Sequence, residues 1–143
     1  MTPSDISAFF DGYARAFTAL DAGAICDHYQ FPVQILSENG GHVYRDRAEM
    51  LADMTGFVAF YDKVGFAAAQ IASFEYQPLS SIFGQAHVDW ALTDRSGGRI
   101  VTFRATYTLR IDGGGDVDRP AITGILGHSE DSAWKAAGIA TNW

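Results

Sequence analysis

Between Ser81 and Glu130 the chain writes three long runs of alternating apolar and polar residues, separated by glycine-rich turns. A period of two belongs to strands, whose successive side chains point to opposite faces. Short turns between such strands imply antiparallel neighbours. The chain must therefore build a sheet with one apolar face, and that face needs a cover. Within it each run carries a ring with a polar tip: Trp90, Tyr107 and His128. Aliphatic side chains suffice to fill a core. Rings with hydrogen-bonding tips on the same face point to a lined cavity as well.

The cover is encoded ahead of the sheet. Residues 4 to 20 place Ile6, Phe9, Phe10, Tyr13, Phe17 and Leu20 at intervals of three and four, the pattern of an amphipathic helix. Ser4 or Thr2 can cap it, and Pro3 is tolerated near its start. Asp21 is placed to cap a second, short helix that should extend through Tyr29. Pro32 should end that helix and open a strand from Val33 to Glu38. Asn39-Gly40-Gly41 signals a hairpin, with a return strand from His42 to Arg45. Asp46 and Glu49 make a capping-box-like start for a third helix to about Val64, with Met50, Met54, Phe57 and Tyr61 inward. Long strands follow at 68–79, 82–93, 99–111 and 120–130. The turn Asp112-Gly113-Gly114-Gly115-Asp116 separates the last two. Helices first and a strand meander afterwards is an α+β plan. In the tail from Ser132, Trp134 and Trp143 can either dock on the body or mediate a contact.

Bulk properties set the bounds. At 143 residues, 48% hydrophobic and 19% charged, the chain is expected to form one domain over 1–143. A net charge of −7 disfavours nucleic acid or an anionic membrane as partner. The single cysteine, Cys26, cannot form an internal disulfide and suggests a reducing compartment. The N-terminus lacks the basic and apolar regions of a signal peptide, and no stretch is long and apolar enough to span a membrane. A cytoplasmic protein is the expectation.

Strict alternation assigns the faces. In the run from Ile82, the apolar set is Ile82, Gly84, Ala86, Val88, Trp90 and Leu92. In the next it is Val101, Phe103, Ala105, Tyr107, Leu109 and Ile111. In the last, Ile122, Gly124, Leu126 and His128 form the more apolar parity. The small residues Gly84, Ala86, Ala105 and Gly124 would leave space between larger neighbours. Pairing Trp90 with Phe103 sets Asp89 opposite Arg104 and His87 opposite Thr106 on the outer face. His87 and Asp89 share that face, yet no third ligand follows at metal spacing, so no metal is expected. The glycines at 113–115 lack the strand-turn-helix setting of a phosphate loop, and no other cofactor fingerprint is present.

The stretches "FFDGYARAFTALDAGAICDHY", "YRDRAEMLADM" and "TYTLRIDGGGD…GILGHSED", in this order of elements, resemble the NTF2-like superfamily of cystatin-like cones. That superfamily includes SnoaL-type polyketide cyclases, ketosteroid isomerases, scytalone dehydratases and limonene-epoxide hydrolases. The resemblance implies N-terminal helices packed in the concave face of a curved, mostly antiparallel sheet. It also implies a homodimer through the outer sheet face. Tyr107 lies near the place where ketosteroid isomerases carry an acidic hydrogen-bond donor. The remaining isomerase positions depart from the pattern. Ala16 falls near the helix-one tyrosine, with Tyr13 one turn earlier, and Leu36 and Ser37 fall near the basic aspartate, with Glu38 close by. Steroid isomerisation does not follow from such a match.

Two functions from different classes fit these residues. One is a cofactor-independent isomerase, dehydratase or cyclase moving protons on a small apolar or amphipathic molecule. His128 would be its proton carrier, Tyr107 the donor to an oxyanion and Glu38 a possible base. The other is a non-catalytic ligand-binding or dimeric assembly domain. In either, Tyr13, Phe17, Tyr29, Met54, Trp90, Phe103 and Leu126 would line the cone.

Overall fold

The first helix, α1 (Pro3–Thr18), starts with a reciprocal cap. The Thr2 hydroxyl accepts from the Asp5 N–H, and the Asp5 carboxylate accepts the Thr2 N–H at 2.7 Å. Pro3 occupies the first turn, where no intrahelical donor is missed. The helix stops where Leu20 turns left-handed (φ 53°), with Leu20 N–H bonding Phe17 O and Asp21 N–H bonding Ala16 O. Asp21 then caps α2 (Ala22–Cys26) through the Ala24 N–H. This computed structural model describes residues 2–112 and 119–140. The expected turn at Gly113-Gly114-Gly115 and the tail tryptophan Trp143 lie outside those residues.

The second helix is shorter than expected, and β1 (Tyr29–Ser37) begins where that helix should have ended. Long-range pairing overrides the local signal: Tyr29 pairs with Ile122 of the last strand. Pro32, preceded by a cis peptide bond, sits inside β1 where the ladder is interrupted between Tyr29 and Gln34. A residue without an N–H fits such a gap and would leave a hole in a continuous ladder. The Asn-Gly turn delivers the expected return strand, β2 (Gly40–Tyr44), and Asp46 caps α3 (Arg47–Lys63) through Glu49 N–H.

Four further strands follow: β3 (Phe66–Pro78), β4 (Phe83–Asp94), β5 (Arg99–Arg110) and β6 (Ala121–Gly127). They join β1 and β2 in one six-stranded sheet of order β2-β1-β6-β5-β4-β3. β1 runs parallel to β6, and the remaining pairs are antiparallel. The β4–β5 register is the expected one: Trp90 faces Phe103, Asp89 faces Arg104 and His87 faces Thr106. The main core joins Ile6, Phe10 and Tyr13 of α1, Met50 and Met54 of α3, and Val88, Trp90, Tyr107 and Ile122 of the sheet. A second core gathers Tyr61, Phe66, Leu92 and Val101 around Trp134, which is fully buried on the closing helix α4 (Glu130–Ala136). The tail tryptophan Trp134 therefore docks on the body. Among the described residues, no helix is long and apolar enough to cross a membrane.

One irregularity reassigns a whole strand face. On β5 Thr108 and Leu109 are consecutive, but their β6 partners are Gly124 and Ile122. Thr123 is the extra residue of a β-bulge, and its hydroxyl bonds both the hydroxyl and the carbonyl of Thr108. A bulge reverses the parity of everything beyond it. Ile122 points inward as expected, whereas Ile125 and Gly127 take the inward direction assigned to Leu126 and His128.

Candidate functional site

The concave side of the sheet, α1 and α3 enclose a cavity of about 710 Å³. Its deep wall is built by Tyr13 and Phe17 of α1, Tyr29 of β1, Met54 of α3, Trp90 of β4, and Phe103 and Tyr107 of β5. All were expected to face inward, Tyr29 as the end of a helix that the structure replaces with β1. Ala105 is the expected small residue that borders the space. Gly84 and Gly124 serve other ends. A Cβ on Gly84 would lie 2.6 Å from the Tyr76 ring, and one on Gly124 would lie 2.7 Å from the Thr108 hydroxyl. Both glycines make room for a neighbouring side chain and leave no void.

The polar tips of the wall are joined to one another. The Trp90 indole N–H donates to the Tyr107 hydroxyl at 2.9 Å, and the Tyr13 and Tyr29 hydroxyls are hydrogen-bonded. Desolvation pushes the Tyr13 and Tyr107 hydroxyls well above their ordinary range, so both stay protonated and keep a proton to donate. Tyr107 accepts from Trp90 and also shares a hydrogen bond with the Tyr13 hydroxyl, so its polar tip is held within the wall.

Opposite this wall lies a carboxyl that periodicity did not single out. Glu130, the first residue of α4, accepts from the Tyr61 hydroxyl at 2.9 Å and from the Trp134 indole at 3.0 Å. It is half-buried because it borders the cavity. Desolvation by the surrounding protein raises its pKa to about 7, against the lowering effect of its two donors and with Asp131 adding to the rise. Its charge also reaches the far wall, where it helps to raise Tyr107 and Tyr29. Around the mouth lie Asp131, Asp53 and Tyr44, with the Tyr44 hydroxyl donating to Asp53 at 2.8 Å. A helix start at Ser129-Glu130-Asp131 is the sequence signal that could have found Glu130.

The structure corrects the inward assignment of His128 and Leu126 and the reading of Glu38 as a base. His128 lies on the outer face, where its Nε2 meets the Thr106 hydroxyl at 2.7 Å and His87 Nδ1 meets the same oxygen at 2.9 Å. Leu126 pairs with Thr106 on that face and is 45% exposed. The bulge at Thr123 is the cause in both cases. Glu38 is exposed, and its carboxylate accepts the Ser132 N–H at 3.1 Å and the Ser132 hydroxyl. Those bonds hold its pKa below the ordinary value, the reverse of the rise that burial would bring. It fastens the first turn of α4 from outside. Beside the histidines, Asp89 accepts from Arg104 at 2.8 Å and from Ser73 at 2.6 Å, which lowers its carboxyl to about 2.

An α+β cone whose helices sit in the hollow of a curved mixed sheet is the NTF2-like, cystatin-like fold. The chain belongs to the family described as NTF2-like protein (DUF6841), whose pattern matches residues 4–115. Among curated proteins none matches it. Three solved structures place it further. An NTF-2 like protein of unknown function from Shewanella oneidensis MR-1 is 20% identical, with a TM-score of 0.69 over 90% of this chain and 99% of that one. An NTF2-like protein with a cystatin-like fold from Novosphingobium aromaticivorans is 13% identical, with a TM-score of 0.70 over 97% and 88%. A ketosteroid isomerase-like protein from Erwinia carotovora atroseptica SCRI1043 is 14% identical, with a TM-score of 0.59 over 87% and 93%. At these identities the likeness establishes the fold.

Proposed function

We propose that the cone binds a small, largely apolar molecule and that Glu130 exchanges a proton with it. The observation that carries this reading is a carboxyl set into the wall of an aromatic cavity and oriented by Tyr61 and Trp134. A group poised near neutrality is suited to take a proton and to return it. The carboxylate removes a hydrogen next to a carbonyl as a proton and becomes the neutral acid. The C–H electron pair passes into the enolate, whose oxygen would take a hydrogen bond from Tyr107 in place of the one Tyr107 shares with Tyr13. Where the substrate is β,γ-unsaturated, the enolate is a dienolate, and return of the proton to its γ carbon moves the double bond into conjugation and completes an isomerisation, with atoms and charge conserved. Expulsion of a leaving group would make the same start a dehydration.

The test is hydrogen exchange on a panel of aryl ketones, neutral and charged, followed by NMR in D2O. The protein should accelerate exchange of the hydrogens next to the carbonyl, and Glu130→Gln should slow it by about 100-fold or more. Equal rates in the two proteins, or none above buffer, would refute the proton-transfer role.

The outer face favours an assembly role beside this one. Leu36, Val43 and Leu126 are 41%, 50% and 45% exposed there, on the adjacent strands β1, β2 and β6. We propose that a second copy of the chain covers them, giving a homodimer. A reducing, cytoplasmic setting goes with this reading, on the strength of the buried Cys26 thiol.

A further inference from the structure

The charge lining the cavity has one sign. Asp53 of α3 and Glu130 and Asp131 of α4 face it, and among the described residues no lysine or arginine does. Five of the eight described arginines form ion pairs away from the cavity: Arg45 with Glu49, Arg47 with Asp27, Arg95 with Asp62, Arg104 with Asp89 and Arg110 with Asp112. His42, on the hairpin at the mouth, lies 3.6 Å from Glu49. Ten of the other lining residues are tyrosine, phenylalanine or tryptophan, and the face of an aromatic ring carries the negative side of its quadrupole. Rings and carboxyls therefore act in one direction. An anion would meet repulsion from the acids, and the basic side chain on the lining, His42, already lies beside Glu49. A neutral molecule would gain burial alone. A cation would gain burial, ring faces and opposite charge together.

We infer that the ligand of the cone is an organic cation, an amine or quaternary ammonium on an apolar body, with its charge between the aromatic faces and the carboxyls of α3 and α4. This rests on the reading above that the cavity takes a ligand. The acids are oriented before any ligand arrives, because Tyr44 holds Asp53 and Tyr61 and Trp134 hold Glu130. Such prior order lowers the cost of binding. The cavity of about 710 Å³ admits a molecule of drug size. A positive charge beside Glu130 would also offset the desolvation that otherwise favours its protonated form, and would hold it as the carboxylate a proton abstraction needs. Ligand charge and chemistry are then coupled: the right ligand brings the base into its active form.

Three probes of one shape separate the possibilities: 4-phenylbutyl-trimethylammonium, its neutral isostere with carbon in place of nitrogen, and 5-phenylpentanoate. Calorimetry on the full chain at low salt should find the ammonium bound about tenfold or more tighter than the isostere, with the carboxylate weakest. Glu130→Gln and Asp131→Asn, each checked for native circular dichroism, should shrink the ammonium-to-isostere ratio while leaving the isostere's affinity within about twofold. An isostere that binds as tightly as the ammonium, or a ratio unchanged in both variants, overturns the cation assignment and leaves the cavity reading intact. Failure of all three probes also overturns it. If neutral Nile red then shows no fluorescence gain with the protein, the cavity reading falls too.

Discussion

At the scale of single residues, the raised carboxyl of Glu130 has a consequence for stability in the neutral and mildly acidic range. Its carboxyl ionises near 4.5 in an unfolded chain and near 7 in the fold. Within that window the folded state keeps a proton that the unfolded state has released, so stability falls as pH rises through it. Below the window both states are protonated, and above it the loss is complete. Glu130→Gln removes this contribution and keeps an acceptor for Tyr61 and Trp134. In urea titrations from pH 4 to pH 8, the variant should gain on the wild type as pH rises. A stability difference that stays flat with pH would show that Glu130 is solvated like any surface acid. The sequence made the aromatic wall legible, because Tyr13, Phe17, Trp90, Phe103 and Tyr107 sit in unbroken periodic patterns. Glu130 was not legible: it closes an alternating run and reads as the end of a strand. His128 and Leu126 were misdirected by a threonine with no signature of a bulge. Glu38 reads as a residue beside a turn, and its true partner, Ser132, lies far along the chain.

At the scale of elements, α4 is the piece that locks the site. It has only seven residues, too few to persist without packing. Three attachments hold it: Trp134 in the second core, Glu130 on Tyr61, and Glu38 reaching across from the hairpin of β1 and β2 to Ser132. Trp134→Ala should therefore cost about 3–5 kcal/mol in chemical denaturation and release the amides of α4 to rapid hydrogen exchange. A loss below about 1 kcal/mol would mean that the helix does not depend on its tryptophan. The helices α1 and α3 were readable because each carries its own cap and inward apolar residues at helical spacing. So short a helix offers no period to read, and its existence follows from what the sheet and α3 leave uncovered. β1 shows the same limit: its first residues read locally as helix, and pairing with β6, on the far side of the sequence, decides otherwise.

At the scale of the molecule, the bulge at Thr123 gives β6 two allegiances. Beyond it, alternate residues go to the cavity (Ile125, Gly127) and to the outer face (Leu126, His128), so one strand end serves both proposed roles. The apolar strip of Leu36, Val43 and Leu126 is the strongest argument for a second copy, since its side chains sit side by side on paired strands. Light scattering at micromolar concentration should give twice the chain mass, and Leu126→Glu should return it to a single chain with native circular dichroism. A single-chain mass for the unmodified protein would remove the dimer.

The position of α4 along the chain has a last consequence. The family pattern ends at residue 115, after the strands that carry Trp90 and Tyr107 and before the helix that carries Glu130. In this chain the stretch that matches the pattern supplies Tyr13, Trp90 and Tyr107 of the aromatic wall, and the acid of the proposed reaction is written in the stretch that follows. Membership of the family therefore does not by itself carry that proposed reaction from one chain to another; a carboxyl at the place of Glu130 would have to be found as well.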